Sequence, residues 1–252
     1  MSQQRGLRRS AHLFRSFLVE QTDPDRFYGD LAADSVATLA DHVQLKGQLV
    51  LDVGAGPRQF AEAFRARGAR YVAVDHDPTV PSVADGGVTG SALALPVADA
   101  AADVVFSSNL LEHVPEFTVV ADELVRVTRP GGVLYLSYTN WWSPWGAHEA
   151  SPWHWLGANY ALRRYQKRHG RRPKNLLGET LHRVSIAEGL AWARSRDNVE
   201  VLAARPRYLP DVARHLLAGP GLRGPGTRNL LLILRRRDDA TLRPAPGGGS
   251  RP

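Results

Sequence analysis

A strand, a glycine turn and a helix follow one another in residues 48–60, which read QLVLDVGAGPRQF. The apolar run within 49–53 indicates a strand that is buried on both faces, as in a parallel sheet. The glycines at 54–56 would end this strand, and Pro57 suits the first turn of a helix that Gly68 closes. Glycines let a backbone approach a ligand closely, and a helix N-terminus offers unpaired N–H groups. The stretch therefore predicts a nucleotide-binding corner in an α/β sheet.

A carboxylate follows the glycine corner at a spacing that supports this interpretation. A second short apolar run, 71–74, ends in Asp75. At the tip of the neighbouring strand, a carboxylate can accept both hydroxyls of a ribose. For a lone aspartate we would favour a solvated strand end, but the spacing of Asp75 from the glycines favours ribose binding. A dinucleotide-binding turn would need G-x-G-x-x-G, and Gln59 stands at the third glycine position.

Length and composition narrow the class of protein. A chain of 252 residues suits one domain with additions, and its 43% hydrophobic content and six tryptophans exclude a disordered chain. The absence of cysteine excludes disulfides, thiolate metal sites and cysteine nucleophiles. The net charge of +7 comes almost wholly from arginine, which favours general solvation over a dedicated polyanion site.

The sequence predicts neither a membrane span nor a secretory signal. No segment approaches the roughly 18 apolar residues that a transmembrane helix requires. The basic residues 1–10 are not followed by a long apolar stretch or a cleavage site. We therefore expect a cytoplasmic protein.

The N-terminal residues 1–45 are predicted to form helices that precede the nucleotide corner. One face of the first helix carries Leu13, Phe14, Phe17 and Leu18, with arginines around it. Such a helix can lie on a membrane surface. We prefer an arrangement in which it packs on the core or covers the cofactor site as a lid, followed by a second helix over residues 31–43.

The glycine corner resembles the first motif of class I S-adenosylmethionine (SAM) dependent methyltransferases, apolar-apolar-D/E-x-G-x-G-x-G. Leu51 to Gly56 match this pattern, whereas Arg58 stands where a third glycine is usual. The segment 90–97, GSALALPV, is similar to the family pattern G-D-A-x-x-L-P-F. In it Ser91 replaces the acidic residue that contacts adenine, and its hydroxyl offers a weaker and less selective bond.

Two further motifs strengthen the resemblance. SNLLEHV at 108–114 is similar to the family stretch S-N-x-L-E-H-V. The run 124–132 matches L-x-R-V-x-x-P-G-G, which is frequent in small-molecule and lipid methyltransferases, and no N-P-P-Y-like motif of nucleobase methylation occurs. Residues 25–236 as a whole resemble class I methyltransferases of the small UbiE-like, type 11 kind, and details resemble a group of actinobacterial methyltransferases.

The resemblance implies the fold: an α/β, Rossmann-like, doubly wound, seven-stranded sheet that is mostly parallel with one antiparallel strand near the C-terminus. A poorly marked third strand would lie within 77–90, and a fifth would start at 133. The methyltransferase domain would cover 46–237 with an insertion at 139–183. We expect residues 238–252 to form a disordered tail.

SAM is the implied cofactor, bound at the carboxyl ends of the strands. The cofactor-binding residues implied by the matching motifs are Asp52, Gly54, Ala55, Gly56, Asp75, His76, Ser91, Ala92, Leu93, Ser107 and Asn109.

The insertion provides the candidates for catalysis. Five of the six tryptophans fall within 141–155, where they suit the wall of an apolar pocket and a local hydrophobic plug about equally. His148 is the predicted general base, with Glu149 as its orienting partner or an alternative base. Glu112 and His113 could form an acid–base pair, but we favour a structural role for them. No metal site is predicted.

The predicted reaction is methyl transfer from SAM to a small-molecule or lipid-like acceptor, with O-methylation favoured. The basic residues of 163–174 could hold an anionic group of that acceptor or form a solvated face. Nucleic acid is not favoured as a partner, and peripheral membrane contact stays open. The alternatives are a SAM-binding protein without activity and an RNA methyltransferase.

Overall fold

A single mixed sheet organises the chain. The computed structural model describes residues 2–19, 22–79, 86–219, 221 and 223–238. In sequence order the strands are β1 Leu49–Val53, β2 Arg70–Asp75, β3 Gly87–Thr89, β4 Ala102–Ser108, β5 Thr128–Thr139, β6 Val199–Pro206 and β7 Asn229–Arg236. Their order in the sheet is β3-β2-β1-β4-β5-β7-β6. Neighbours among β1 to β5 run parallel, and β7 runs antiparallel to both β5 and β6. The predicted fold class is confirmed.

Side chains satisfy free backbone N–H groups at the starts of two helices, those over 24–40 and 186–195. The helices are α1 Ser2–Leu18, α2 Pro24–Ala40, α3 Ala61–Arg65, α4 Phe117–Val127, α5 Ala158–His169 and α6 Ile186–Ser195. Asp23 accepts a bond from the Arg26 N–H at the start of α2, ahead of Pro24. Ser185 and Glu188 form a reciprocal capping box at the start of α6.

Alternate residues of the central strands enter two different cores, so the sheet is buried on both faces. Leu51 and Val105 belong to a cluster with α4 and α6. Val50 and Phe106 belong to another cluster with α2 and α3. This leaves the carboxyl ends of the strands as the edge on which a site can be built.

Some boundaries differ from those predicted. The second helix spans Pro24–Ala40 instead of 31–43, because the Asp23 cap and Pro24 start it earlier. The fifth strand begins at Thr128, which pairs with Ala102, and the register shifts before Val133 pairs with Val104. Pro-Gly-Gly at 130–132 therefore lies within this irregular strand. β3 lies within the predicted range, and residues 239–252 of the predicted tail fall outside the described residues.

The first two helices pack on each other and on the core. Phe17 of α1 and Phe27 of α2 make an edge contact with ring centroids 6.0 Å apart. Arg9 donates from Nε and Nη2 to the two carboxylate oxygens of Asp34, at 2.5 and 2.6 Å. Among the described residues, no helix has the length and apolar character required to cross a membrane.

Candidate active site

The glycine turn follows β1 in a conformation that needs glycine. Gly54 has φ +76°, and a Cβ there would lie 2.9 Å from Cδ1 of Leu110. Gly56 has φ +48°, and a Cβ there would meet nothing within 4 Å. Residues other than glycine rarely adopt such φ values. The turn therefore packs closely on Leu110 at one glycine and faces open space at the other, while Ala55 between them is buried.

Asp75 lies at the end of β2, directly beside this turn. Its Oδ2 accepts a hydrogen bond from the Gly56 N–H at 2.8 Å, and its Oδ1 accepts one from the Asp77 N–H at 3.1 Å. His76 Nδ1 lies 3.1 Å from Oδ1 and its ring is exposed. A carboxylate can accept further bonds besides these. The structure therefore brings Gly56, Asp75 and His76 together, as the spacing predicted.

Asp52 is located differently from the other predicted cofactor residues. Only 1% of it is exposed, and its Oδ2 accepts a hydrogen bond from the Tyr71 hydroxyl at 2.5 Å. Burial raises the pKa of Asp52 to about 7, with the charge of Asp75 acting in the same direction and the Tyr71 bond against it. Direct contact between Asp52 and the cofactor stays a prediction. The observed contact makes it a support beneath the turn.

Arg58 adopts the backbone conformation that a glycine would adopt without strain. Its φ is +57°, in the left-handed region, and its side chain is half-buried. A non-glycine residue there costs roughly 1–2 kcal/mol. At the position where the family usually has its third glycine, this chain therefore keeps the left-handed backbone conformation although the residue is arginine.

The loop after β3 lies against the end of β2. Gly90 donates its N–H to the Asp75 carbonyl at 2.8 Å, and the Leu93 N–H donates to Ser91 Oγ at 3.2 Å. Ser91 and Leu93 are exposed, and Ala92 is half-buried. Their contacts with adenine stay a prediction, but they lie at the same edge of the sheet as Asp75.

The end of β4 contributes two more predicted residues. Ser107 is fully buried, and its Oγ has no partner among the described residues. Asn109 has φ +58° and donates its N–H to the Ser137 carbonyl at 2.7 Å. Asn109 Nδ2 also donates to Glu112 Oε1 at 3.1 Å and to Thr139 Oγ1 at 3.2 Å. The ends of β4 and β5 are therefore joined by side-chain bonds.

A buried arginine completes this network and was not predicted from the sequence. The Arg207 guanidinium donates from Nη1 to Ser108 Oγ at 2.8 Å and to Asn109 Oδ1 at 2.9 Å. From Nη2 it donates to Ser35 Oγ of α2 at 2.7 Å. Arg207 follows β6 in an unremarkable R-P-R sequence, so no local pattern could have identified it.

Glu112, His113 and His148 form a cluster of three titratable side chains. Glu112 is 1% exposed, and its Oε1 accepts bonds from the Thr139 N–H at 3.0 Å and from Asn109 Nδ2. The rings of His113 and His148 have centroids 5.5 Å apart. One ligand atom of each residue lies within 4.8 Å of the other two. The structure thus brings His148 to the carboxyl end of β4, next to two residues for which a structural role was favoured.

The insertion folds tightly to place His148 there. The His148 N–H donates to the Trp145 carbonyl at 3.1 Å, and His148 has φ +49°. A Cβ on Gly146 would lie 2.0 Å from the Trp141 carbonyl oxygen, so only glycine lets the chain pass. Burial lowers the pKa of His148, while the charge of Glu112 opposes this effect.

Glu149 makes a different contact from the one predicted. Its Oε2 accepts a hydrogen bond from Asn175 Nδ2 at 2.9 Å. The carboxylate in the cluster with His148 is that of Glu112, which follows the cofactor-binding motif. The roles of Glu149 as base or as orienting partner of His148 stay predictions, and Glu112 is the carboxylate that the fold brings close to His148.

Some tryptophans of the insertion fill a local hydrophobic plug, and others form the wall of a cavity. Trp141 is buried, and its carbonyl lies 3.0 Å from His154 Nε2. Trp142 and Trp155 are half exposed and line a cavity of about 510 Å³ together with Ile186. Part of the cluster is therefore a plug, and part is a cavity wall.

Comparisons with known proteins agree with this geometry. A family model described as a methyltransferase domain matches residues 51–136. An uncharacterized methyltransferase of Mycobacteroides abscessus is 44% identical over 253 residues, covering 94% of this chain and 97% of the relative. One from Mycolicibacterium gilvum is 46% identical over 243 residues, covering 91% and 94%.

Solved structures share the fold at low sequence identity. A SAM-dependent methyltransferase from Mesorhizobium loti matches with a TM-score of 0.54 and 16% identity, covering 81% of this chain and 98% of its own. One from Methanosarcina mazei matches with a TM-score of 0.52 and 17% identity, covering 79% and 97%. The chain therefore belongs to the class I SAM-dependent methyltransferases, within the group formed by the mycobacterial proteins.

Proposed function

We propose that this methyltransferase methylates a hydroxyl oxygen of a small-molecule or lipid-like acceptor, with His148 as general base. The observation that carries the proposal is the position of His148 beside Glu112. The Nε2 atom of His148 is buried and has no partner in the described part of the chain. Glu112 in turn bonds Asn109 and the Thr139 N–H at the ends of β4 and β5. A base that lies close to a carboxylate, at the edge where class I enzymes bind SAM, suits deprotonation of an acceptor.

The residues of the glycine corner fit SAM. Gly56 faces open space, and the carboxylate of Asp75 beside it is held in place by two backbone N–H groups. Ser107 carries a buried hydroxyl without a partner in the described ranges, as expected where a ligand supplies one. We assign the ribose to Asp75, the adenine to the loop 91–93, and the methionine end to the turn 54–56.

When bound, SAM supplies a methyl group on a positively charged sulfur, which is already activated for transfer. His148 accepts the proton of the acceptor hydroxyl at Nε2. The turn 54–56 and Asp75 would hold SAM as it gives up its methyl group to the acceptor oxygen, and the electron pair of the S–CH₃ bond would stay on sulfur. Glu112 stabilises the charged imidazole that results. The insertion excludes water from the reaction.

The cavity beside the insertion is our candidate for the acceptor site. Its walls include Trp142, Trp155 and Ile186, and Arg223 lines it as well. An apolar body with one anionic group would match this lining. A lipid-like acceptor would also suit peripheral membrane contact, because Leu7, Phe14 and Leu18 of α1 are exposed. We place the reaction in the cytoplasm.

We assign the N-terminal residues 1–45 the role of a cover over the cofactor site. Arg9 of α1 donates from Nη2 to the Arg207 carbonyl at 3.0 Å. The Arg207 side chain bonds both Ser35 of α2 and Asn109 at the end of β4. These contacts join the helices to the residues that would lie under SAM.

The experiment is to incubate the protein with labelled SAM and a lysate of its source, and to identify the labelled product. With that product in hand, His148→Gln should lower kcat by about a hundredfold or more, because a general base contributes this much. SAM affinity should stay nearly constant. The matched control is His169→Gln, since His169 is an exposed histidine at the end of α5. A methylated nitrogen or carbon in the product, or full activity of His148→Gln, would refute the assignment.

A further inference from the structure

We propose that Glu112, His113 and His148 bind one divalent transition-metal ion, with zinc as the expected occupant. Two imidazoles and one carboxylate are a donor set that holds such ions in proteins. One donor atom of each residue lies within 4.8 Å of the others. The three come from two turns, Leu111–His113 and His148–Ala150, which are distant in sequence, so they meet only in the folded chain.

Glu112 and His113 each have one side-chain atom fixed by a neighbour, which leaves another atom to bind an ion. His113 Nδ1 lies 2.8 Å from the Thr180 carbonyl and must donate to it, which leaves Nε2 as the acceptor. A histidine held by a backbone carbonyl in this way is typical of metal ligands. Glu112 Oε1 accepts from Thr139 and Asn109, while its Oε2 has no partner in the described ranges. The Nε2 atom of His148 is also buried and has no hydrogen-bond partner among the described residues.

Two buried polar atoms of the cluster without hydrogen-bond partners are a second reason, besides the donor set, to infer a bound ion. A buried carboxylate oxygen and a buried ring nitrogen each lose hydration energy that nothing in the described structure returns. A cation among them would satisfy both at once. Ligand atoms about 2.1 Å from a tetrahedral ion lie roughly 3.4 Å apart. Because the three atoms lie within 4.8 Å of one another, the side chains would have to close by at most about 1.4 Å.

Three protein ligands leave one position open, as in catalytic zinc sites. With the ion bound, the ion instead of His148 would activate the acceptor hydroxyl, and only this role of the ion rests on the proposed methyl transfer. The cation would lower the pKa of an acceptor hydroxyl in that open position, so this hydroxyl would lose its proton to water on entering the site, before the insertion shields the reaction. The oxygen would then take the methyl group while the electron pair of the S–CH₃ bond stays on sulfur. His148 would serve as a ligand in this case, which equally explains a loss of activity in His148→Gln.

The test is a cobalt titration of full-length protein without a histidine tag, after treatment with a chelator. Co²⁺ bound by imidazole and carboxylate in four-coordinate geometry absorbs visible light, so no turnover is needed. We expect one equivalent to bind, and Zn²⁺ to displace it. His113→Ala and His148→Gln should each weaken binding at least about tenfold, since even the loss of an outer-shell partner costs this much. His169→Ala, the exposed control, should bind like the wild type.

Two results would overturn the site: no saturable equivalent in the wild type, or equal affinity in all four proteins. Circular dichroism and calorimetric SAM binding show whether each variant is folded, and His148→Gln keeps the site testable if His113→Ala is not. If the protein binds SAM but not cobalt, the proposed metal site is refuted and the proposed function still stands. If it binds cobalt but not SAM, the metal site stands and the proposed function is refuted.

Discussion

Asp52 makes the protein less stable as the pH rises. In the unfolded chain its pKa has the ordinary value of 3.8, and burial in the folded chain raises it to about 7. Between these values the folded state keeps a proton that the unfolded state has released, so the free energy of unfolding falls with rising pH. Each pKa unit corresponds to about 1.36 kcal/mol. From about pH 5 to about pH 8.5 the loss due to Asp52 is therefore about 3 kcal/mol.

Asp52→Asn isolates this effect, because the amide has no charge to bury and can still accept the Tyr71 hydroxyl. Urea unfolding at a series of pH values gives the free energy for both proteins. The difference between variant and wild type should move in favour of the variant by about 3 kcal/mol over that range. The control is Asp41→Asn, an exposed carboxylate after α2, which should follow the wild type. Parallel curves for Asp52→Asn and wild type would refute the reasoning.

Two further substitutions test the site and its support. Asp75→Ala should lower SAM affinity by at least about 1.5 kcal/mol in titration calorimetry, because a charged acceptor of hydrogen bonds is lost; unchanged affinity would place the cofactor elsewhere. Gly146→Ala should destabilise the protein by about 1–3 kcal/mol in urea unfolding, because the new Cβ would lie 2.0 Å from the Trp141 carbonyl oxygen. Gly29→Ala, where a Cβ meets nothing within 4 Å, is its control.

The sheet could be predicted because its signals are local. The apolar run before Gly54, the carboxylate at Asp75 and the motif at 108–114 each depend on a few consecutive residues. Parallel strands place their carboxyl ends at one edge, so the order of motifs was enough to locate the cofactor side. The start of β5 was missed because pairing with β4 extends the strand through residues that usually end one.

The cluster of Glu112, His113 and His148 could be predicted only in part. His148 was identified from its place among tryptophans, but its partner Glu112 belongs to another segment, and only the fold brings the two together. Glu149 is adjacent in sequence, yet its carboxylate bonds Asn175. In a turn, the side chains of two consecutive residues can point in different directions. Arg207 shows the same limit, because its partners lie on α2 and at the end of β4.

The position of Arg207 also fixes an order of events during synthesis. Ser35, near the start of the chain, bonds a guanidinium that leaves the ribosome 172 residues later. Until then, the Ser35 hydroxyl lacks its bond to this guanidinium, and so do Ser108 and Asn109 at the end of β4. The helices can form at once, since their hydrogen bonds are local, but contacts of such separation are made late. The cofactor side of the protein is therefore completed only when nearly the whole chain has been made.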